Sequence, residues 1–497
     1  MPKESTGPEP APTAQPELLT FLRGKDNPFD VFVAARKPDA DFGRLHVPSL
    51  YPEVCGALLA VFQRFRPEKL EVDNDVPRSG VVVVLGRRGT GKTHLLHVLR
   101  HGLDEGPGRV LVAPAIFEPH RPFLEYLLHQ LVRHFQNESE QWGLGMLDLL
   151  ADAFARQVLA QALHGLTEID WLARNTAGRF AFWQAVLGWG TRRLVKTKRA
   201  LIQDLERGRQ TTILEIISQH EQHPDDMKRL AVEQIERTET GNAIAGQISR
   251  GLYRRLVDRA FGAPAEDLYD FLLDGYTQVE VKNQPSRATL VDALFQTLLE
   301  LCLLARTPIV FAFDALEALL GDPPDQRLAQ LFFQGIAEVL DVHRGLPFLL
   351  LAESGHWLLA QKSISPYAQQ RFEQGVMRVP TFGTVSTLHF PEVSPKQLAD
   401  IVATRMAPLL ESCREGAEDI PSTYPFTRED LERICRTEGS RPPLRQALQA
   451  LRDRFEQIVH GAKPPAPVSA LPQPITLNLE SLETRWQEES RAAKKRL

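Results

Sequence analysis

The fold of this protein is decided by one short stretch, residues 80–99, which reads GVVVVLGRRGTGKTHLLHVL. Its valine run is rich in β-branched residues, which is typical of a parallel strand buried on both faces. Residues 86–93 match the pattern GxxxxGK[ST], and the residues after them have helical spacing. A strand, a glycine-rich loop and a helix in this order predict a phosphate-binding loop.

The residue types of the loop suit a nucleotide. Glycines let the backbone wrap around a phosphate with its N–H groups turned inward, and the N-terminus of the helix adds a positive dipole. We expect the Lys92 ammonium to reach the β- and γ-phosphates of ATP and the Thr93 hydroxyl to bind Mg²⁺. The predicted nucleotide contacts in the loop are Gly86, Gly89, Thr90, Gly91, Lys92 and Thr93.

A second apolar strand, IVFAF at residues 309–313, is followed by Asp314. A carboxylate at the end of such a strand is expected to hold Mg²⁺ together with Thr93. The next residue is Ala315, and the first glutamate is Glu317. If a helical turn follows Asp314, Glu317 shares its face and could prepare water for attack. Alternatively, Glu317 is a solvated glutamate at a helix start, which the helix dipole favours.

Further candidates for catalysis follow the next strand, LPFLLLA at residues 346–352. Glu353 and Ser354 end this strand, and a polar group there could orient the attacking water. Arg371 comes later and could reach the γ-phosphate bound by a neighbouring subunit, with Arg378 as the reserve candidate. The alternative is that Arg371 is an ordinary surface arginine.

Two arginines, Arg441 and Arg445, open a helix in the last helical part of the chain and could close over the nucleotide. Along the chain these parts follow in the order phosphate loop, strand ending in Asp, strand ending in a polar residue, arginine and helical lid. This order resembles that of the AAA+ ATPases. The chain is most similar to the origin-recognition-like and STAND-type members, over about residues 45–115 and 290–460. The resemblance implies ATP-driven assembly on DNA or in a signalling complex. The family's usual Asp-Glu pair is here Asp314-Ala315.

The composition is that of a soluble globular protein, with 43% hydrophobic and 24% charged residues in 497. A net charge of −5 excludes a polycation that coats nucleic acid along its whole surface, so contact with DNA needs a local patch. The four cysteines form no CxxC pair, which argues against a zinc site and fits a reducing cytoplasm. The apolar runs are too short to span a membrane.

One local basic patch lies in TRRLVKTKRALIQDLERGR, residues 191–209, within a long helical stretch that separates Lys92 from Asp314. On a helix Arg192, Lys196 and Arg199 share one stripe, and an apolar stripe contains Leu194, Leu201 and Leu205. The basic stripe could lie along the phosphates of double-stranded DNA. The alternative is a solvated charged face, which is the more common meaning of such a run of charges. The candidate nucleic-acid contacts are Arg192, Arg193, Lys196 and Arg199.

The predicted fold class is α/β: a P-loop NTPase parallel sheet flanked by helices, with a large all-helical insert and a C-terminal helical lid. The predicted parts are a disordered N-terminus (1–17), the first part of the core (18–116), the insert (117–286), the second part of the core (287–392), the lid (393–461), a Pro-rich linker (462–475) and a C-terminal helix (476–497).

Two functions are compatible with these features of the sequence. The first is an ATP-binding and ATP-hydrolysing AAA+-like ATPase that forms a homo-oligomer and acts with DNA in replication, transposition, repair or defence against mobile DNA. The second is a slowly hydrolysing ATP-dependent switch or scaffold that binds a protein partner through its C-terminal helix and does not touch DNA. The basic stripe and Arg371 favour the first function, whereas Ala315, the acidic net charge and the C-terminal helix favour the second.

Overall fold

The structure is a computed structural model, and it describes most of the chain. The described residues are 16–30, 46–65, 78–101, 110–114, 117–136, 145–175, 191–207, 211–238, 244–279, 285–305, 307, 309–375, 377–379, 381–412, 420–436 and 442–461. The chain divides into two compact units. The larger unit contains residues 48–391, and the smaller one contains residues 392–497 together with the start of the chain. The Pro-rich linker and C-terminal helix predicted at 462–497 lie outside the described residues.

The elements are given in chain order. The first half contains α1 (Pro16–Arg23), α2 (Pro52–Gln63), β1 (Gly80–Leu85), α3 (Lys92–His101), β2 (Val110–Val112), α4 (Phe123–Gln136), α5 (Met146–Gly165), α6 (Glu168–Asn175), α7 (Thr191–Arg207), α8 (Ile213–Gln219), α9 (Pro224–Arg237), α10 (Ile244–Ala260) and α11 (Ala265–Leu273). The second half contains α12 (Arg287–Leu304), β3 (Ile309–Phe313), α13 (Leu316–Leu320), α14 (Gln326–Val342), β4 (Pro347–Ala352), α15 (Ser354–Gln361), α16 (Pro366–Gln374), β5 (Met377–Val379), β6 (Gly383–Val385), β7 (Thr387–His389), α17 (Pro395–Glu411), α18 (Arg428–Cys435) and α19 (Leu444–His460).

The larger unit is built on a five-stranded parallel sheet with the order β2-β3-β4-β1-β7. Every residue of β1, β3 and β4 is buried, as expected for strands covered by helices on both faces. The predicted parallel α/β sheet flanked by helices is therefore confirmed. Strand β4 lies between β1 and β3, so the strand that precedes Asp314 is not a direct neighbour of the strand that precedes the loop 86–93.

The helical insert shares one hydrophobic core with the sheet. Phe332 of α14 contacts Phe313 of β3 with ring centroids 4.9 Å apart and contacts Phe123 of α4 at 5.7 Å. The buried residues of α5, α7, α10 and α12 continue this same cluster. Edge-to-face aromatic contacts of this kind stabilise packing beyond simple burial of area. The insert belongs to the same compact unit as the sheet.

The smaller unit contains the predicted lid helices α17, α18 and α19 and, in addition, the start of the chain. Phe29 is fully buried between Phe426 and Phe455, with centroids 5.5 Å and 6.1 Å apart. The Arg23 Nε donates to the Val459 carbonyl at 2.8 Å. Residues 18–30, predicted from the sequence to join the α/β core, therefore pack with the helical unit. Their few apolar residues gave no sign of which core they join.

The sequence did not predict the two-stranded antiparallel hairpin of β5 and β6. Each of these strands has three residues, too few for an alternating pattern to be recognised. None of the helices in the described parts of the chain combines the length and apolar character that crossing a bilayer needs.

Candidate phosphate-binding site

The loop 86–93 and the predicted residues that follow β3 and β4 meet at the carboxyl edge of the sheet. The loop 86–93 follows β1, Asp314 follows β3, and Glu353 and Ser354 follow β4 between them. The carboxyl ends of parallel strands are where open α/β sheets bind ligands. The tertiary structure therefore brings together residues that lie far apart in the sequence.

The loop has the backbone that its glycines predict. Gly91 has φ of +104°, which L-residues with a side chain rarely adopt. A Cβ at Gly86 would lie 2.6 Å from the Thr90 Oγ1 and 3.1 Å from the Phe390 Cβ, so no side chain fits there. Helix α3 begins at Lys92 and directs its N-terminus toward the loop, where its dipole favours an anion.

Lys92 is 8% exposed, and its ammonium is folded back onto the loop. The Nζ donates to the Gly86 carbonyl at 2.8 Å and to the Arg87 carbonyl at 3.1 Å. These contacts keep the ammonium within the loop that would hold a phosphate. A cation held in this position can exchange neutral carbonyl partners for phosphate oxygens, which are stronger, charged acceptors.

Thr93 and Asp314 touch, although 221 residues separate them in the sequence. The Thr93 hydroxyl donates to the Asp314 Oδ2 at 2.7 Å. The other carboxylate oxygen, Oδ1, accepts from the Ala315 backbone N–H at 2.8 Å, which fixes the orientation of the carboxylate. A hydroxyl and a carboxylate are hard oxygen donors of the kind Mg²⁺ prefers.

Glu317 lies close to Asp314 in the chain, but the helical turn expected between them does not form. Ala315 has φ of +53° in the left-handed region, and α13 begins only at Leu316. No helical turn therefore runs from Asp314 to Glu317. The Glu317 Oε2 is buried and has no hydrogen-bond partner among the described residues. Since buried polar atoms are nearly always paired, this oxygen is suited to a water or ligand.

Glu353 and Ser354 directly follow β4, the strand that lies between the strands preceding the loop and Asp314. Ser354 is the first residue of α15, Glu353 is its N-cap, and both side chains are half-buried. Gly86 is tied to the same strand, because its N–H donates to the Ala352 carbonyl at 3.1 Å. The order of the strands therefore places this polar strand end beside the loop.

Arg371 is held by its own chain. Its Nη2 lies 2.9 Å from the Asp341 Oδ1, its Nη1 donates to the Gln374 Oε1 at 3.0 Å, and its guanidinium lies over the Tyr367 ring. A role on the nucleotide of a neighbouring subunit would require release from Asp341. The reserve candidate, Arg378, is exposed on β5. Arg445 is half-buried on α19 of the smaller unit, and Arg441 lies outside the described residues.

The predicted basic helix forms as α7, and its apolar residues Leu201 and Leu205 are buried. Lys196 is exposed, and Arg199 is 78% exposed with Glu168 3.7 Å away. Arg192 and Arg193 fall in the first turn, where the side chains lie outside the described residues.

One residue at the site was not predicted from the sequence. Tyr51, just before α2, is 2% exposed, and its hydroxyl donates to the Thr90 carbonyl of the loop at 2.5 Å. Burial raises the pKa of this phenol well above its ordinary value, and the nearby Cys55 raises it further. The phenol therefore stays protonated and remains a donor. The Tyr-Pro pair before a helix was the only sequence signal, and it is a weak one.

Among the described residues, no group of three or more His, Cys, Asp or Glu side chains could hold a metal ion. A metal at Thr93 and Asp314 would therefore need ligands from outside the protein, such as phosphate oxygens and water. Comparison of the chain with known proteins finds no matching family model, no matching curated protein and no matching solved structure.

Proposed function

We propose that this protein is an AAA+-like ATPase that binds ATP with Mg²⁺ at residues 86–93, hydrolyses it, and works as a homo-oligomer with DNA. The observation that carries the proposal is the 2.7 Å contact between the Thr93 hydroxyl and the Asp314 carboxylate beside a glycine-rich loop. Strand, loop, helix and distant carboxylate are what a phosphate-loop nucleotide site requires.

Nucleotide binding would use the loop in two ways. The Lys92 ammonium would leave the carbonyls of Gly86 and Arg87 for phosphate oxygens, and the start of α3 would face the same negative charge. Thr93 and Asp314 would hold Mg²⁺, which supplies charge neutralisation at the phosphates. The Ala315 N–H would keep the Asp314 carboxylate aimed at the site throughout.

Hydrolysis would need a group that accepts a proton from the attacking water. Glu317 offers a buried carboxylate oxygen without a partner among the described residues. Ser354, at the end of the strand between the loop and Asp314, offers a hydroxyl that could orient the same water. We assign the base to Glu317 and the orienting group to Ser354.

Replacing Asp314 with asparagine tests the magnesium part of the proposal. The amide keeps the shape of the side chain and loses the negative charge that Mg²⁺ needs. We expect the gain in ATP affinity that Mg²⁺ gives the wild type to fall by about tenfold or more. The measurement is ATP titration with Mg²⁺ and with EDTA, with Asp322→Asn, an exposed carboxylate, as the control. An unchanged magnesium effect in the Asp314 variant would contradict the proposal.

Contact with DNA is proposed for the exposed side of α7. The Arg199–Glu168 pair is long and exposed, and such pairs contribute little, so Arg199 can exchange Glu168 for a phosphate. Lys198 is not available in this way, since it is buried and its Nζ donates to the Leu166 carbonyl at 2.8 Å. The contact would fix position on the duplex without reading base sequence.

Charge reversal on α7 tests this contact. The triple variant Arg192→Glu, Lys196→Glu and Arg199→Glu is expected to lower affinity for duplex DNA by at least about 100-fold at low salt, with ATP affinity unchanged. Fluorescence anisotropy of a labelled duplex measures it. The matched control reverses Arg229, Arg237 and Arg254, which are exposed on α9 and α10. Equal DNA affinity of the two triple variants would rule out the α7 contact.

The second candidate function is an ATP-dependent switch or scaffold with slow hydrolysis. The observation that favours it is the engagement of Arg371 by Asp341 and Gln374 of its own chain, which leaves no free guanidinium for a neighbour's nucleotide. Ala315 in place of the family's usual glutamate points the same way. In this case turnover per subunit would be low and would not change on dilution.

A further inference from the structure

We infer that Tyr51 is a positioning residue that holds one backbone amide of the phosphate loop ready for an anion. The inference rests on the proposed function, because it concerns how the same site binds phosphate. It assigns a role to a residue at the N-terminal end of α2, outside the glycine-rich motif itself.

The hydrogen bond of Tyr51 determines the direction of a peptide plane. The phenol donates to the Thr90 carbonyl at 2.5 Å from the side of α2. In a trans peptide the carbonyl of one residue and the N–H of the next point in opposite directions. Holding the Thr90 carbonyl toward Tyr51 therefore turns the Gly91 N–H away from Tyr51. No described residue accepts a hydrogen bond from that N–H.

The Tyr51 ring is itself held in place. It makes an edge-to-face contact with Phe390, with ring centroids 4.8 Å apart. Phe390 is fixed to the end of β1, because its N–H donates to the Leu85 carbonyl at 2.8 Å. Pro52 occupies the first position of α2, where its fixed φ is compatible with the helix and stiffens the backbone next to Tyr51.

The loop holds Thr90 itself through its side chain and through the preceding Gly89–Thr90 peptide. The Thr90 hydroxyl donates to the Arg87 carbonyl at 3.0 Å, and the Thr90 N–H donates to the same carbonyl at 3.3 Å. Without the Tyr51 bond, the Thr90–Gly91 peptide could rotate, because Gly91 tolerates many backbone angles. A rotated carbonyl would face the anion and repel it. Tyr51 thus removes a conformation that cannot bind phosphate.

The test is the Tyr51→Phe variant, which keeps the ring and its contact with Phe390 and removes only the donor. The matched control is Tyr269→Phe, which loses the same kind of bond, from a phenol to the Phe135 carbonyl at 3.0 Å, in the helical insert. Calorimetry measures the affinity for ATP and for inorganic tripolyphosphate, which has no base or sugar. Thermal unfolding of both ligand-free variants is measured alongside.

We expect Tyr51→Phe to raise the Kd for ATP and for tripolyphosphate by the same factor, about five- to tenfold, and Tyr269→Phe to change neither. The unfolding temperatures of the two variants should fall by similar amounts. If Tyr51→Phe binds both ligands as tightly as Tyr269→Phe does, the role of Tyr51 is structural. This result would overturn the inference and leave the proposed function standing. If the wild type binds neither ligand, the proposed function fails as well.

Discussion

Replacing Lys92 with alanine is expected to weaken ATP binding by about 100-fold, the largest effect that a single change at this site should have. The ammonium is buried against the loop and donates to the carbonyls of Gly86 and Arg87. A phosphate oxygen in their place would accept a charge-assisted bond, which is about twice as strong as a neutral one. Titration with a fluorescent ATP analogue measures the loss.

The control for Lys92 is Lys362→Ala, which removes an exposed ammonium near the end of α15 in the same unit. Thermal unfolding of both variants without ligand shows whether the loop still folds. Wild-type affinity in Lys92→Ala would place the nucleotide, if one binds, somewhere other than the loop 86–93. Such a result would remove the basis of the proposed function.

Replacing Glu317 with glutamine is expected to reduce ATP turnover by about 100-fold and to leave ATP affinity within about twofold. Glutamine has the same size and cannot accept a proton from water. Because the Glu317 Oε2 has no partner among the described residues, the change should disturb no existing bond there. Steady-state phosphate release, with and without duplex DNA, measures turnover.

Glu373→Gln, an exposed glutamate on α16, serves as the control for Glu317. Equal turnover in wild type and Glu317→Gln would assign the base to another group, with Glu353 at the end of β4 the next to examine. Negligible turnover in the wild type, with tight ATP binding that Lys92→Ala abolishes, would favour the switch. Turnover that rises with DNA and is lost in Glu317→Gln would favour the DNA-coupled ATPase.

The site shows why local sequence could not settle the role of Glu317. Glu317 could share a helix face with Asp314 only if a helix started at Asp314. The backbone instead turns at Ala315 into the left-handed region, and α13 begins one residue later. An alanine does not predict a left-handed turn, because glycine, asparagine and aspartate are the residues that adopt this conformation readily. The burial of the Glu317 Oε2 then follows from packing.

Arg371 illustrates the same limit for charged residues. Its position after β4 suggested a guanidinium free to reach another subunit. Its actual neighbours are Asp341 of α14 and the Tyr367 ring one turn earlier on its own helix. The pairing with Asp341 depends on how α14 and α16 pack, which no spacing within one segment encodes.

By itself the sequence determined the parts of this protein that depend on local pattern. These are the strands, whose unbroken apolar runs have to be buried on both faces, the helices with their three- and four-residue spacing, and the loop 86–93 with its glycines and its lysine. Such features are fixed by backbone sterics and by hydrophobicity over a few residues, so they can be read without knowing the rest of the chain.

Only the tertiary structure decided which of these parts meet. It set the strand order that puts β4 between β1 and β3. It also brought Thr93 and Asp314, which are 221 residues apart in the sequence, into a hydrogen bond of 2.7 Å. It also joined residues 18–30 to the helical unit and brought the Tyr51 hydroxyl to the Thr90 carbonyl. These pairings arise from long-range burial of apolar surface shared by many elements, and no short segment contains that information.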